Sequence, residues 1–233
     1  MTMPSQQRRR RLALSATSVA ATFVAATLVA LSAGCSALRP APMSDTAFYE
    51  LDVARTAPPL PATGPTLVIN PTHAAAGFDS KRIIYTRQSH QLEYFAHSEW
   101  VDTPARMLAP LLVAAAEGSG AFLAAMLTPS TAAGDLRLDT EIVRLQHEFD
   151  GGRSQVRFTL RAYLVDGGTR KIIASREFES VVPATSNDPY GGVIAANAAV
   201  RGVLAEFAGF CAQAVRKLPS PSERRPKTAI PRP

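Results

Sequence analysis

The sequence predicts an α+β fold: a single compact domain in which a mixed, largely antiparallel sheet carries two long helices. Apolar and polar residues alternate through much of residues 135–182, which is typical of strands with one buried face. Two other segments, 104–115 and 190–217, repeat apolar residues at steps of three and four, as helices do. No segment repeats another, so one domain is expected.

The chain begins with a segment typical of export. Four arginines at 8–11 precede an uncharged run over 12–33, and small residues then lead to Cys35. The sequence "LSAGC" resembles a bacterial lipobox, although Ser32 stands where that pattern prefers Leu. We therefore predict a lipoprotein signal peptide over 1–34 and lipidation at Cys35. The alternative is an uncleaved membrane anchor, for which the run is long enough but rich in Ala, Thr and Ser.

Lipidation would make residues 35–47 a short polar tether. Ser36 would be the second mature residue, where an Asp would favour retention in the inner membrane, so we expect outer-membrane attachment facing the periplasm. The other cysteine, Cys211, has no partner in the mature chain, so the domain must fold on its hydrophobic core alone. It is expected to be a small apolar residue on a helix face.

The net charge of +6 does not indicate nucleic-acid binding, because the basic residues lie at the two ends. Without the four arginines the net charge is +2, and the last 18 residues carry a net charge of +5. The rest of the chain therefore has a net charge of −3. Residues 217–233 are predicted to be a disordered, basic, Pro-rich tail. No nucleic-acid partner is expected.

The first half of the body predicts short strands and one helix. Strands are expected at 48–53 and 66–71, and a hairpin at 81–88 and 91–100 with its turn near His90. Thr103 is a favourable N-cap and Pro104 suits the first helical position. Pro110 should remove a hydrogen bond and kink this helix. A further strand is expected within 118–129.

The second half predicts an antiparallel meander followed by the longest helix. The alternation slips phase at 142–143, which indicates a bulge, and the turn at 167–169 leads into the last strand. The stripe of this helix permits a coiled-coil seam, but the many Ala and Gly residues of the helix favour close packing on a sheet. The stripe comprises Val193, Ala196, Val200, Val203, Phe207, Phe210 and Ala214.

The sequence contains no recognisable catalytic or metal-binding motif. The Ser in "GSG" at 118–120 follows a helix, whereas a nucleophile elbow needs a strand-to-helix turn. His147 and Glu148 lack the second histidine of a zinc motif, and the other histidines are scattered. We expect no enzyme activity, no cofactor and no metal.

Aromatic residues are concentrated around the predicted hairpin. This clustering fits either a core with an amphipathic rim or an exposed patch for a partner protein or an acyl chain, and the sequence leaves both open. The residues are Phe48, Tyr49, Tyr85, Tyr94, Phe95 and Trp100.

The lipobox, "FYELD" and "SKRIIYTRQSHQLEYFAHSEWVDTPARML", followed by strands and a terminal helix, resemble the ABC-type transport auxiliary lipoproteins over residues 48–216. The resemblance rests on short motifs in a fixed order. They contain Tyr49, Leu51, Arg82, Tyr85, Tyr94, Trp100 and Pro104.

This resemblance implies a non-enzymatic envelope subunit with a fold similar to the amino-terminal domain of TolB. The implied partners are an ABC permease and ATPase and a periplasmic protein with a mammalian-cell-entry (MCE) domain, which together move phospholipid or other lipids between membranes. We expect partner binding at Tyr85, Tyr94 and Trp100. Self-association into a homo-oligomer is compatible with the helix stripe. An assembly or pilot lipoprotein, for example for a secretin, is the alternative. An envelope hydrolase would need a polar constellation that the sequence does not offer.

Overall fold

The computed structural model describes residues 45–52, 64–130 and 134–218. The predicted signal peptide, Cys35, residues 35–44 of the tether and all but the first two residues of the tail lie outside the described residues. The described residues from Thr46 onward form one compact unit.

The described part of this unit contains nine strands and two helices. The strands are β1 (Ala47–Tyr49), β2 (Thr66–Ile69), β3 (His73–Ala74), β4 (Arg82–Thr86), β5 (Glu93–Trp100), β6 (Ala124–Leu127), β7 (Leu136–Asp150), β8 (Arg153–Asp166) and β9 (Ile172–Pro183). The helices are α1 (Pro104–Gly118) and α2 (Pro189–Arg216).

The long strand β7 is the centre of the sheet. On one side, β8 and then β9 continue it as the predicted antiparallel meander. The register shifts between Ile142 and Arg144, which confirms the predicted bulge, and Val143 is the extra residue. Apolar residues of β7 and β8 on the inner side of the meander are buried, as the alternation predicts.

On its other side, β7 pairs in parallel with three short strands, β2, β3 and β4. Beyond these lie β6, which is parallel to β2, and β5, which forms the predicted antiparallel hairpin with β4. β1 pairs in parallel with β5 at the margin. The predicted mixed α+β sheet is therefore confirmed, with antiparallel pairing in its longest ladders.

The first strand is shorter than predicted because the residues that follow it form hydrogen bonds with a side chain of helix α2. Beyond Tyr49, the backbone N–H of Asp52 donates to the Asn197 side-chain oxygen at 2.8 Å. The side-chain amide of Asn197 donates in turn to the carbonyl of Glu50 at 3.2 Å. These bonds satisfy the backbone in place of a strand partner.

Helix α2 packs on the meander with its apolar stripe buried, which confirms the sheet-packing interpretation. The T-shaped contacts of Phe178 in β9 with Phe207 and Phe210 of α2 join the two layers. By length and composition α2 could also cross a membrane, but a helix buried in a domain core passes the same test.

Helix α1 begins at the predicted position, although its cap differs from the prediction. Thr103 has the extended backbone of an N-cap but its side chain makes no capping hydrogen bond. Pro110 lies inside α1 without ending it. Because Pro110 is exposed, water can reach the backbone carbonyl that the proline leaves unpaired.

Candidate functional site

The structure separates the three aromatic residues that were predicted to bind a partner. Tyr85 and Trp100 are buried, with 8% and 3% of their surface exposed, whereas Tyr94 is 40% exposed. Tyr85 and Trp100 therefore contribute packing to the hairpin, and Tyr94 alone of the three presents its ring at the surface.

Tyr85 belongs to a cluster of rings between the hairpin and β7. Its ring centroid lies 4.5 Å from Phe95 and 5.7 Å from Phe149. Its hydroxyl donates to Glu93 Oε2 at 2.9 Å and accepts from Arg87 Nη2 at 3.2 Å. Burial and the hydrogen bond to Glu93 raise the pKa of Tyr85, against the opposing charge of Arg87. The phenol therefore stays neutral and fixes two polar residues of the hairpin.

Tyr94 lies beside a row of residues that crosses the margin of the sheet. Phe48 in β1 is in register with Glu99 in β5, and Glu99 is in register with Arg82 in β4. Directly paired residues point to the same face of a sheet. The Arg82 guanidinium lies over the Tyr94 ring at 4.8 Å, and Phe48 is 62% exposed. We call Phe48, Arg82, Tyr94 and Glu99 the edge surface.

This surface combines exposed aromatic rings with one residue of each charge. Aromatic residues and arginine are enriched at the energetic centres of protein interfaces because they bury large areas at low entropic cost. The edge surface therefore has the chemistry of a protein-docking site.

His147, which lacks the second histidine of a zinc motif, is a buried polar residue. It is 2% exposed, and neither ring nitrogen has a hydrogen-bond partner among the described residues. Its ring lies 4.3 Å from Phe149 and 6.1 Å from Phe95. Burial lowers its pKa, against the charge of Asp188, so the imidazole is held neutral. The sequence does contain a signal for the burial of His147. Beyond the bulge, Leu145, His147 and Phe149 are spaced two residues apart in β7 and therefore point to the same face of the sheet.

Asp188, the acidic group that acts on His147, is the N-cap of α2. Its Oδ1 accepts from the backbone N–H of Gly191 at 2.8 Å. That hydrogen bond and one from Ser186 lower the pKa of Asp188, so the cap remains ionised. A charged cap thus stands at the start of the helix that covers His147.

The face of the meander away from α2 carries two ladders of ion pairs. Arg157 Nε lies 2.8 Å from Glu148 and Arg157 Nη1 lies 2.7 Å from Glu179. Arg161 similarly bridges Glu141 at 3.0 Å and Glu177 at 2.8 Å. This is the polar face that the alternation predicts, and its charges make it unlike the edge surface.

The described residues include no group of three His, Cys, Asp or Glu side chains placed to hold a metal ion. Cys211 is buried in α2, and burial raises the pKa of its thiol to about 12. Because the thiolate is the nucleophilic form, this cysteine is unreactive in the folded protein. Its role is packing, as the sequence indicates.

An open mixed sheet that carries two helices defines the chain as an α+β domain. The family model for the ABC-type transport auxiliary lipoprotein component matches residues 49–208, and the chain belongs to this family. The resemblance found in the sequence motifs is thereby confirmed. Lipoproteins are proteins of the cell envelope, and members of this family are auxiliary components of ABC-type transport systems.

Two solved structures share the fold, and a third is similar to a lesser degree. A crystal structure from Xanthomonas campestris, assigned to the DUF330 family, is 24% identical, with a TM-score of 0.66 and coverage of 74% of this chain and 98% of that one. A second, described as an uncharacterized protein, is 13% identical, with a TM-score of 0.56 and coverage of 72% and 97%. A PelC dodecamer from Paraburkholderia phytofirmans is 12% identical, with a TM-score of 0.39 and coverage of 64% and 91%. No curated protein matches the chain.

Proposed function

We propose that the protein is a non-enzymatic, lipid-anchored accessory subunit of an ABC transport system whose periplasmic component carries an MCE domain, and that this system moves lipids between the inner and outer membranes. The observation that carries the proposal is the family match over residues 49–208. The lipobox at Cys35 supports anchoring, and Ser36 supports the outer membrane as its location.

The physical role would be to hold a lipid-conducting partner against the anchored membrane. A lipid that crosses the periplasm needs a shielded apolar path, because exposed acyl chains are costly in water. A globular domain on a short tether can bind a partner protein that forms this path, without forming the path itself. The edge surface supplies the chemistry for docking, with Phe48 and Tyr94 as the aromatic anchors. Tyr85 and Trp100, which are buried in the same hairpin, would stabilise the strands that carry this surface.

The test is recovery of partners from native membranes. The tagged full-length protein is solubilised in mild detergent and the proteins that co-purify are identified by mass spectrometry. Recovery of an MCE-domain protein together with a permease and an ATPase supports the proposal. Recovery of a secretin or another outer-membrane assembly in their place overturns it and favours the pilot function.

The docking surface is tested in the same experiment with a double variant, Phe48→Ala with Tyr94→Ala. We expect it to fold normally and to lose most of the recovered partner. The matched control is Ile172→Ala, which truncates an equally exposed apolar residue on the distant strand β9. Undiminished recovery with the double variant would show that partners bind elsewhere.

A further inference from the structure

A cleft of about 530 Å³ lies at the tip of the β4–β5 hairpin, where it faces the second half of β7. This volume is within the range of sites that bind small molecules. The cleft is separate from the edge surface, since none of its lining residues belongs to that surface.

Four of the residues that line the cleft are apolar: Phe78, Leu92, Val143 and Phe149. Val143 is the extra residue of the β7 bulge and has no partner on β8. A bulge turns a side chain out of the regular alternation, and bulges often occur beside functional sites. The bulge thus brings an aliphatic side chain into an otherwise polar part of the strand.

Two arginines, Arg87 and Arg144, also line the cleft. The guanidinium of Arg87 is held in place, with its carbon 5.0 Å from the centre of the Tyr85 ring and Nη2 bonded to the Tyr85 hydroxyl. Arg144 is exposed and forms no ion pair with any residue that the structure describes. The turn residue His90 also lines the cleft and has a φ of 67°, a left-handed conformation that is uncommon outside glycine.

Two acidic residues also line the cleft. The carboxylate of Glu148 is already bonded to Arg157 at 2.8 Å, Gln146 at 2.8 Å and Gln155 at 3.0 Å. Asp150 is exposed at the end of β7. Glu148 is thus engaged by Arg157, which it shares with Glu179, and Asp150 is the one further carboxylate among the lining residues that the structure describes. Arg87 and Arg144 therefore remain available to an anionic ligand.

We infer that this cleft binds an amphiphile with a phosphate group, the guanidinium groups of Arg87 and Arg144 contacting the phosphate and the apolar residues covering the alkyl chain. Guanidinium groups form paired hydrogen bonds to phosphate oxygens. The inference deepens the proposed function, on which it rests for the expectation that lipid is the physiological source of such a ligand.

The experiment measures binding to the full-length protein in a non-ionic detergent by NMR titration. The probes are hexyl phosphate, 1-hexanol and inorganic phosphate. We expect saturable binding of hexyl phosphate that is at least about tenfold tighter than binding of either half alone, because the arginines and the apolar residues each contribute. Equal affinity for inorganic phosphate would overturn the inference in favour of a free-anion site, and equal affinity for hexanol would remove the role of the arginines.

Variants locate the site. Arg144→Gln should weaken hexyl phosphate binding about tenfold, which is the scale of one hydrogen bond between charged groups. Arg137→Gln is the matched control, because Arg137 is another exposed arginine of β7 that lies outside the cleft and forms no ion pair with a described residue. Leu92→Ser should weaken binding of hexyl phosphate but not of inorganic phosphate. Equal losses in both arginine variants, or none in either, would refute the site.

The partner-recovery experiment distinguishes this inference from the proposed function. A protein with Arg144→Gln should still recover its MCE-domain partner, since Arg144 lies outside the edge surface. If this variant loses hexyl phosphate binding but still recovers its partner, the result supports the ligand site in the cleft and leaves the proposed function unaffected. Recovery of a secretin with normal hexyl phosphate binding would overturn the transport function and leave the cleft in place.

Discussion

The imidazole of His147 lies directly against the backbone of Gly192: a Cβ atom added at position 192 would be 2.6 Å from Nδ1. Real Cβ contacts are essentially never that short. The contact joins the central strand β7 to the first turn of α2. Glycine is therefore required here for close approach between helix and sheet, and the approach seals the imidazole from water.

Gly192→Ala should destabilise the fold. We expect a loss of about 1–3 kcal/mol in the free energy of unfolding, because the new methyl group overpacks the ring of His147. Urea denaturation measures the change. The matched control is Gly209→Ala, in the same helix with nothing within 4 Å of the added methyl. The control should gain about 0.5–1 kcal/mol from helix propensity. Equal effects of the two substitutions would contradict the close approach.

Stability should decrease in mild acid because of His147. Burial lowers the pKa of His147 below its ordinary value of 6.5, so at mildly acidic pH the unfolded chain binds more protons than the folded one. The contribution of the neutral His147 side chain to the free energy of unfolding is fully present above pH 6.5. It is lost as the pH falls from 6.5 toward the lowered pKa of the folded protein, by at most about 1.4 kcal/mol per pH unit.

The measurement is urea denaturation between pH 8 and 5 for the natural protein and for His147→Phe, in which the other histidines remain as an internal control. The variant should show a smaller decrease in the free energy of unfolding over this range. Parallel pH profiles for the two proteins would refute the assignment to His147.

Trp100→Ala and Tyr94→Ala should differ sharply in stability although both residues lie in β5. Truncating the buried Trp100 should cost about 3–5 kcal/mol, because it leaves a cavity in the core. Truncating the exposed Tyr94 should cost about 1 kcal/mol or less, since it loses mainly its contact with Arg82. Thermal and urea unfolding would measure both. A large loss for Tyr94→Ala would show that its ring is part of the core.

Arg157→Gln should destabilise the sheet more than Arg161→Gln. Burial raises the pKa of Glu148, but hydrogen bonds from Arg157, Gln155 and Gln146 outweigh it and hold the pKa below its usual value. Losing the Arg157 bonds should cost about 1–3 kcal/mol at neutral pH. The Arg161 pairs are more exposed and should contribute about 1 kcal/mol or less.

The sign of the pH dependence provides the check. Because the Glu148 pKa is depressed, its contribution is present above the unfolded value of 4.5 and is lost as the pH falls through the lowered folded value. The difference between natural protein and Arg157→Gln, measured by urea denaturation, should therefore shrink below pH 4.5. A difference that is constant down to pH 3 would contradict the assignment of this stabilisation to the ionised Glu148.

Local patterns were sufficient to predict the long elements of this fold. The meander, its turn and the stripe of α2 follow from periodicity, because each strand or helix must direct its apolar residues to one side. Even the bulge at Val143 was visible as a slip in the alternation. The parallel pairing of β2, β3 and β4 with β7 was not predicted, since partners so distant in sequence leave no local signal.

By itself, the sequence determined the class of fold, the long strands and helices, and the family to which the chain belongs. Only the tertiary structure decided which hairpin aromatics are exposed, because the register of β4 and β5 shifts between Arg82 and Ile84 and breaks the simple alternation. It also decided the surroundings of His147, which come from β4, β5 and the start of α2 together. Burial and pKa depend on every element that covers a residue, and neighbours distant in the chain are brought together only by folding.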